Sequence, residues 1–352
     1  FQNRLKLNKR DFIKRLGWVG LSPVVGLPSI DYLNQHELPP LPLEEDQIWQ
    51  LIRSQYELHP DFVNLESGYY NIIPKPTMEK HLRHIKRVNL EGSYYMRNHR
   101  FEDKATITAK LGDYFGCKGS NLVITRNTTE SLDLIISGFP WQAGDHAIHA
   151  IQDYGAMQDM FAQIAERHTV EVTKVSVPNH PKDDEEIVKL YESKITSKTK
   201  LIMVCHMINI TGQILPIKKI CDMAHRHGVE VLVDGAHCIG HFDFKIEELN
   251  CDYYGSSLHK WLATPLGAGL LYVKNDHIPK IWPLLADHEK DKNNIRRLSH
   301  TGTHPVATDL AIADAIEYLD WMGLKRKEKR MRFLKTYWQK ALKNVPNILI
   351  NT

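Results

Sequence analysis

Charge of one sign is not in excess in this 352-residue chain, where 45 basic and 42 acidic residues leave a formal net charge of +3. That balance removes the electrostatic case for a nucleic-acid partner, which needs a surface able to neutralise phosphates. The two basic runs, KRKEKRMR at 325–332 and EKDKNNIRR at 289–297, read as solvated faces. No apolar run approaches the roughly 20 residues a membrane-spanning helix needs, so no stable span is expected. Cysteine is sparse and irregular: Cys117, Cys205, Cys221, Cys238 and Cys251 contain no CxxC pair, and an odd number cannot all pair. Reduced thiols are expected rather than a disulfide framework. No metal site is expected, because His237 and His241 have Gly240 between them and no acidic third ligand fixed by motif.

What is present, 42% hydrophobic and 25% charged residues, suits a globular chain with one large domain and smaller attachments. Residues 1–45 read as a leader-like segment or N-terminal arm, since KLNKRDFIKRLGWVGLSPVVGLPS resembles a twin-arginine export leader with Lys9-Arg10 at the pair. Export or a periplasmic location follows if the leader functions, and a cytoplasmic one otherwise. Residues 46–322 read as the large domain with its N-terminal segment, and 323–352 as the incomplete start of a smaller α+β terminal domain.

Within the large domain the hydrophobic period switches repeatedly between two and 3.6. LVIT (122–125), DHAIHAI (145–151), TVEVTKVSV (169–177), KLIMVCHM (200–207), VEVLVDG (229–235) and GAGLLYV (267–273) are predicted strands. Helical stretches such as TTESLDLIISGF, MQDMFAQIAERH and IKKICDMAHRHG separate them, and a final short strand is predicted at NILI, 347–350. Continuous branched apolar residues within several strands indicate a sheet covered on both faces, hence a mostly parallel α/β domain. In such a sheet ligands bind beyond the carboxyl ends of the strands, which is where Asp234 falls.

The stretch SSLHKWLATPLGAG (256–269) sets Lys260 between a histidine and a tryptophan, surroundings an ordinary surface lysine does not need. A lysine used as a covalent amine must be partly desolvated, positioned and deprotonated when it reacts. Asp234 in VDGAH can cap a helix, hold a metal or keep a heterocyclic nitrogen protonated. In TRNTTES the first-turn N–H groups of Thr128, Thr129 and Glu130 suit a phosphate or an ordinary N-cap, and Ser257 and His259 add donors for the same anion. Asn209 in HMINITG ends another strand and its amide can donate to a phenolic oxygen, whereas His206 reads equally as packed or as a site residue. Asn-x-Thr matches at Asn127 and Asn209 fall in these same loops and read as accidental.

Taken together, Lys260 in SSLHKW, Asp234 in VDGAH, TTES at 128–131, Asn209 in HMINITG and GTH at 302–304 resemble the fold-type I pyridoxal 5′-phosphate enzymes of aminotransferase class V. The isopenicillin-N-epimerase-like branch, related to cysteine desulfurases, is the nearest likeness. The resemblance runs from about Asn64 to Tyr272, with a weaker echo to Pro305, and implies a three-layer α/β/α fold. It implies that Lys260 carries the cofactor as a Schiff base, that Asp234 pairs with the pyridine nitrogen, and that Asn209 and His237 approach the ring hydroxyl. Thr128, Thr129, Ser257 and His259 would hold phosphate, Tyr154 would stack on the ring, and Thr303 would complete a second subunit's site in a homodimer. Tyr69, Tyr70, Arg97 and Asn98 are candidate contacts for an amino-acid substrate.

Pyridoxal phosphate sets the electron sink and not the bond that breaks. Transamination is the leading expectation, with epimerisation, desulfuration or another lyase reaction, and a non-catalytic binding protein on the same scaffold as alternatives. Sulfur transfer conflicts with the position of the cysteines, all five of which precede Lys260, whereas the resemblance places the nucleophile well after it.

Overall fold

Alternate side chains of each strand enter two separate cores, and this divides the molecule into three layers. The computed structural model describes residues 38–42, 44–286 and 288–351. Its strands are β1 Leu122–Thr125, β2 His146–Ala150, β3 Glu171–Val175, β4 Thr199–Cys205, β5 Glu230–Asp234, β6 Tyr253–Ser257 and β7 Gly269–Val273. They form one sheet in the order β1-β7-β6-β5-β4-β2-β3, and β7 alone runs against the rest. The helices are α1 Glu45–Ser54, α2 Lys75–Glu91, α3 Ser93–Asn98, α4 Arg100–Phe115, α5 Thr128–Gly138, α6 Gly155–His168, α7 Asp184–Glu192, α8 Ile217–Arg226, α9 Val306–Met322 and α10 Leu324–Leu342.

In β4, Leu201 and Met203 pack with Leu132 and Ile135 of α5 and Phe161 of α6, while Ile202 and Val204 pack with Leu111 of α4, Ile220 of α8 and Ile312 of α9. Leu132, Ile135 and Phe161 are fully buried, each contributing about 1.5–3 kcal/mol by leaving water. The continuous apolar strands are thus covered on both faces, as a mostly parallel sheet requires. Helix starts follow local chemistry: Asn127 caps α5 by accepting from Glu130 N at 2.8 Å, and Asp183 caps α7 by accepting from Glu186 N at 3.0 Å.

Three local expectations change. No strand forms at 347–350, where NILI follows α10 without a neighbouring strand to pair with. A strand not foreseen, β6, lies at the centre of the sheet. Its sequence YYGSS carries a glycine and two serines, poor strand formers that succeed because both neighbours are already in place and Gly255 leaves room for Leu132 and Ser131. Finally, Lys327 leaves the solvated face expected of 325–332, and its Nζ donates to the Trp261 carbonyl. The leader-like reading of 1–45 rests on residues 1–37, which lie outside the described residues.

The glycine of VDGAH has a packing reason. A Cβ on Gly235 would stand 2.1 Å from the Tyr254 hydroxyl oxygen, within a strand pair closed by Gly235 N donating to Gly255 O at 2.8 Å. Gly235→Ala is therefore expected to lower stability by about 1–3 kcal/mol through overpacking, read as a lower urea midpoint at unchanged slope. An unshifted midpoint would contradict the close approach.

Candidate functional site

A cavity of about 640 Å³ opens at the carboxyl end of the sheet. Cys205 reaches it from the end of β4, Asp234 from the end of β5, Ser257 from the end of β6, and Thr128 and Thr129 from the first turn of α5. Lys260 and His259 enter from the turn after β6, His237 from the turn after β5, and Asn209 from the turn that Gly212 closes with φ 72°. Tyr154, half exposed at the start of α6, and Tyr69 complete the wall. The larger cavity, about 730 Å³ against α4 and the 299–304 loop, holds neither Lys260 nor Asp234, so size alone does not locate the chemistry.

Asp234 is the electrostatic centre of the site. It is 4% exposed; Oδ1 accepts from Ala236 N at 2.9 Å, and among the described residues Oδ2 meets only the Cys205 thiol, at 3.8 Å. Burial pushes its carboxyl up from the usual range, with the Ala236 N–H and Lys260 opposing. A buried carboxylate whose second oxygen has so weak a donor suits a ligand that brings its own N–H⁺. Burial pulls the Lys260 amine down, with Asp234 the main opposing charge. Lys260 Nζ lies 3.1 Å from His237 Nε2.

The anion cradle is partly closed on itself. Thr128 N donates to Ser257 Oγ at 2.9 Å, and the Thr128 and Ser257 hydroxyls lie 2.7 Å apart. The Glu130 N–H expected to face an anion is taken by the Asn127 cap, and the Glu130 carboxylate binds Arg126 through its backbone N at 2.6 Å and Nε at 3.0 Å. His259 Nδ1 donates to the Ala268 carbonyl at 3.1 Å, so in the neutral ring Nε2 is an acceptor. Donation from His259 to a phosphate requires a second proton, which the dianion itself would favour against burial and Lys260. These groups fit pyridoxal 5′-phosphate: an anionic partner for a ring nitrogen, an amine for an aldehyde, and hydroxyls at a helix start for phosphate.

Five candidates stay outside this cavity. Tyr70 is not among its lining residues, and burial raises its hydroxyl pKa. Arg97 and Asn98 lie exposed on α3, where Asn98 Nδ2 donates to Tyr94 O at 2.9 Å. Thr303 is exposed on the 299–305 loop. His206 is packed, 4% exposed between Phe242 and Phe244 with Nδ1 3.1 Å from the Tyr254 hydroxyl. Conversely, Glu66, Arg126 and Trp261 line the cavity without having been assigned roles. Arg126 stands one residue before the N-cap of α5, and that adjacency is a signal the sequence carried.

The family model for aminotransferase class-V matches residues 77–352. Among curated proteins, isopenicillin N epimerase from Amycolatopsis lactamdurans is 27% identical over 313 residues, covering 84% of this chain and 78% of that protein. Cysteine desulfurase from Haloferax volcanii is 28% identical over 244 residues, covering 65% and 56%. Among solved structures, a C-DES mutant with glycine covalently linked to its PLP cofactor superposes with a TM-score of 0.77 at 21% identity, covering 84% and 80%. The cysteine desulfurase CsdA from Escherichia coli gives 0.73 at 23% identity, covering 86% and 78%.

Burial holds His206 down at about 4, against 6.5 in an unfolded chain. The unfolded chain therefore takes the proton first, and the stability contributed by the neutral ring is complete above about 6.5 and lost as pH falls towards 4. His241, near 4, and His237, near 3, act in the same direction. Between pH 6 and 4.5, His206→Gln should flatten the fall in unfolding free energy by up to about 1.4 kcal/mol per pH unit. Equal slopes in urea titrations of the two proteins would contradict the buried neutral state.

Proposed function

The chain belongs to the aminotransferase class-V family, and from that premise we propose that it transfers the amine of an amino acid or amino-acid-derived substrate after cleaving its Cα–H bond. It is a pyridoxal-phosphate-dependent enzyme acting on such substrates. The observation that carries the proposal is the pairing, in one cavity, of a buried and weakly partnered Asp234 with a desolvated Lys260. When bound, the cofactor supplies the sink for the electrons left on the α-carbon. Asp234 would hold the proton on the ring nitrogen, and Asn209 and His237 would attend the ring hydroxyl. Thr128, Thr129 and Ser257 would hold the phosphate, and Tyr154 would help exclude water. Lys260 Nζ would serve as the base for the α-proton.

Epimerisation is the second reading, favoured by matches to two isopenicillin N epimerases at 27% and 24% identity. Sulfur transfer is disfavoured by the thiol within reach. Cys205 lines the cavity, yet it is 4% exposed and burial pushes its thiol well above the usual range, with Asp234 adding to the rise. A thiolate nucleophile needs the opposite environment. The same proposal includes a homodimer in which Thr303 serves the other subunit's phosphate site; Thr303 is exposed, and its neighbours Thr301, Gly302 and His304 line the larger cavity. A solution mass of one chain would refute the dimer.

The deciding experiment incubates the cofactor-loaded protein with a panel of amino acids in deuterated water and follows α-deuterium, keto acid and sulfide together. Keto acid matched by pyridoxamine phosphate supports transamination, exchange with inversion supports epimerisation, and sulfide alone overturns both. Asp234→Asn should leave cofactor affinity within roughly tenfold, since the phosphate contacts survive, while slowing exchange on the order of 100-fold. Equal exchange rates would remove Asp234 from the chemistry.

A further inference from the structure

His237 makes two hydrogen bonds with one neutral ring, and together they decide where its proton sits. Trp261 Nε1 can only donate, and it reaches His237 Nδ1 at 3.3 Å. Nδ1 therefore accepts, leaving the ring's proton on Nε2, which lies 3.1 Å from Lys260 Nζ. An N–H needs a lone pair opposite it, and an ammonium has none. The two contacts are compatible only when Lys260 is the free amine.

We propose that Trp261 is a positioning residue that sets the His237 tautomer and thereby holds Lys260 unprotonated, the form that attacks an aldehyde or takes a proton from carbon. The indole is itself locked in place. His241 stacks on it with ring centroids 4.0 Å apart and planes 22° from parallel, and Lys327 Nζ binds its carbonyl. His241 Nδ1 donates to the His237 carbonyl at 2.8 Å, tying the two turns together. On the other edge, a Cβ on Gly68 would stand 3.3 Å from His237 Cε1, so the 64–74 loop closes over the imidazole. The charged and titratable groups facing the pair are Asp234 from β5, Cys205 from β4, Cys238 from the turn after β5, His259 from the turn after β6, Glu66 from the loop, and His241. The acidic ones favour an ammonium; burial opposes them, and the net direction for Lys260 is down. Burial holds His237 near 3, so a doubly protonated ring, which would break the Trp261 bond, is absent at neutral pH.

The tautomer stands on geometry alone, and only its use rests on reading Lys260 as the cofactor-bearing amine; protonation is therefore measured instead of turnover. In the cofactor-free full chain labelled with ¹⁵N-histidine, His237 should show a protonated Nε2 and a bare Nδ1. Trp261→Phe keeps the stacking ring and removes the donor, freeing Nδ1 to take the proton and Nε2 to accept from a Lys260 ammonium. Competitive acetylation of Lys260 across pH, read by peptide mass spectrometry, should then shift its midpoint up by about one pH unit, or about tenfold less labelling at a pH below both midpoints. A wild-type His237 protonated on Nδ1 overturns the proposal without any variant. So does a folded Trp261→Phe protein whose Lys260 midpoint is unmoved.

Discussion

The register between β5 and β6 is the constraint from which the site follows. Asp234 pairs with Gly255, so the strand bearing the carboxylate ends beside the strand that delivers Ser257, His259 and Lys260. A slip of one residue would turn Asp234 to the opposite face and bring Val233 or Gly235 to its place, leaving no carboxylate there. Register is held by contacts that exclude larger residues: Gly235 lies against Tyr254, and Gly255 against Leu132 and Ser131. Two glycines, one just past the end of β5 and one in β6, thus set the place of the carboxylate and the amine relative to one another.

Around that pair, the chain tunes protonation by burial more than by ion pairing. Asp234 is pushed up, Lys260 down and His237 far down, and none of the three meets an opposite formal charge within ion-pair distance among the described residues. Environments that move an acid up and a base down bring their protonation equilibria closer together, a pattern that clusters at functional sites. The salt-bridged clusters lie elsewhere, as at Glu230 with Lys280 and His277, where Glu230 is drawn down to about 2 and the charges are mutually satisfied.

Much of the sheet was legible because apolar runs of four to seven residues followed by polar helix starts have few other solutions. Lys260, Asp234, Thr128 and Ser257 were legible for a related reason: each sits at a strand end or helix start, where backbone geometry and not distant packing determines which way the chain faces. The central strand β6 was not legible, since Gly255, Ser256 and Ser257 lack strand propensity and are held by neighbours far away in sequence. NILI erred in the opposite direction, having the propensity without a partner. Contacts across long separations were equally hidden. Nothing local to Trp261 shows that its indole meets a histidine 24 positions earlier, and nothing local to Lys327 shows that it leaves a basic run for a carbonyl 66 positions earlier.

The contacts between Thr128 and Ser257 bear on how a helix and a strand far apart in sequence are joined. Donors assembled for an anion usually stand exposed or wet until it arrives, and a buried unpaired donor is costly. Here the Thr128 N–H and both hydroxyls satisfy one another across the gap between α5 and β6. The pair therefore stitches the first turn of α5 to the end of β6. A phosphate held by these hydroxyls would compete with that stitch for the same donors.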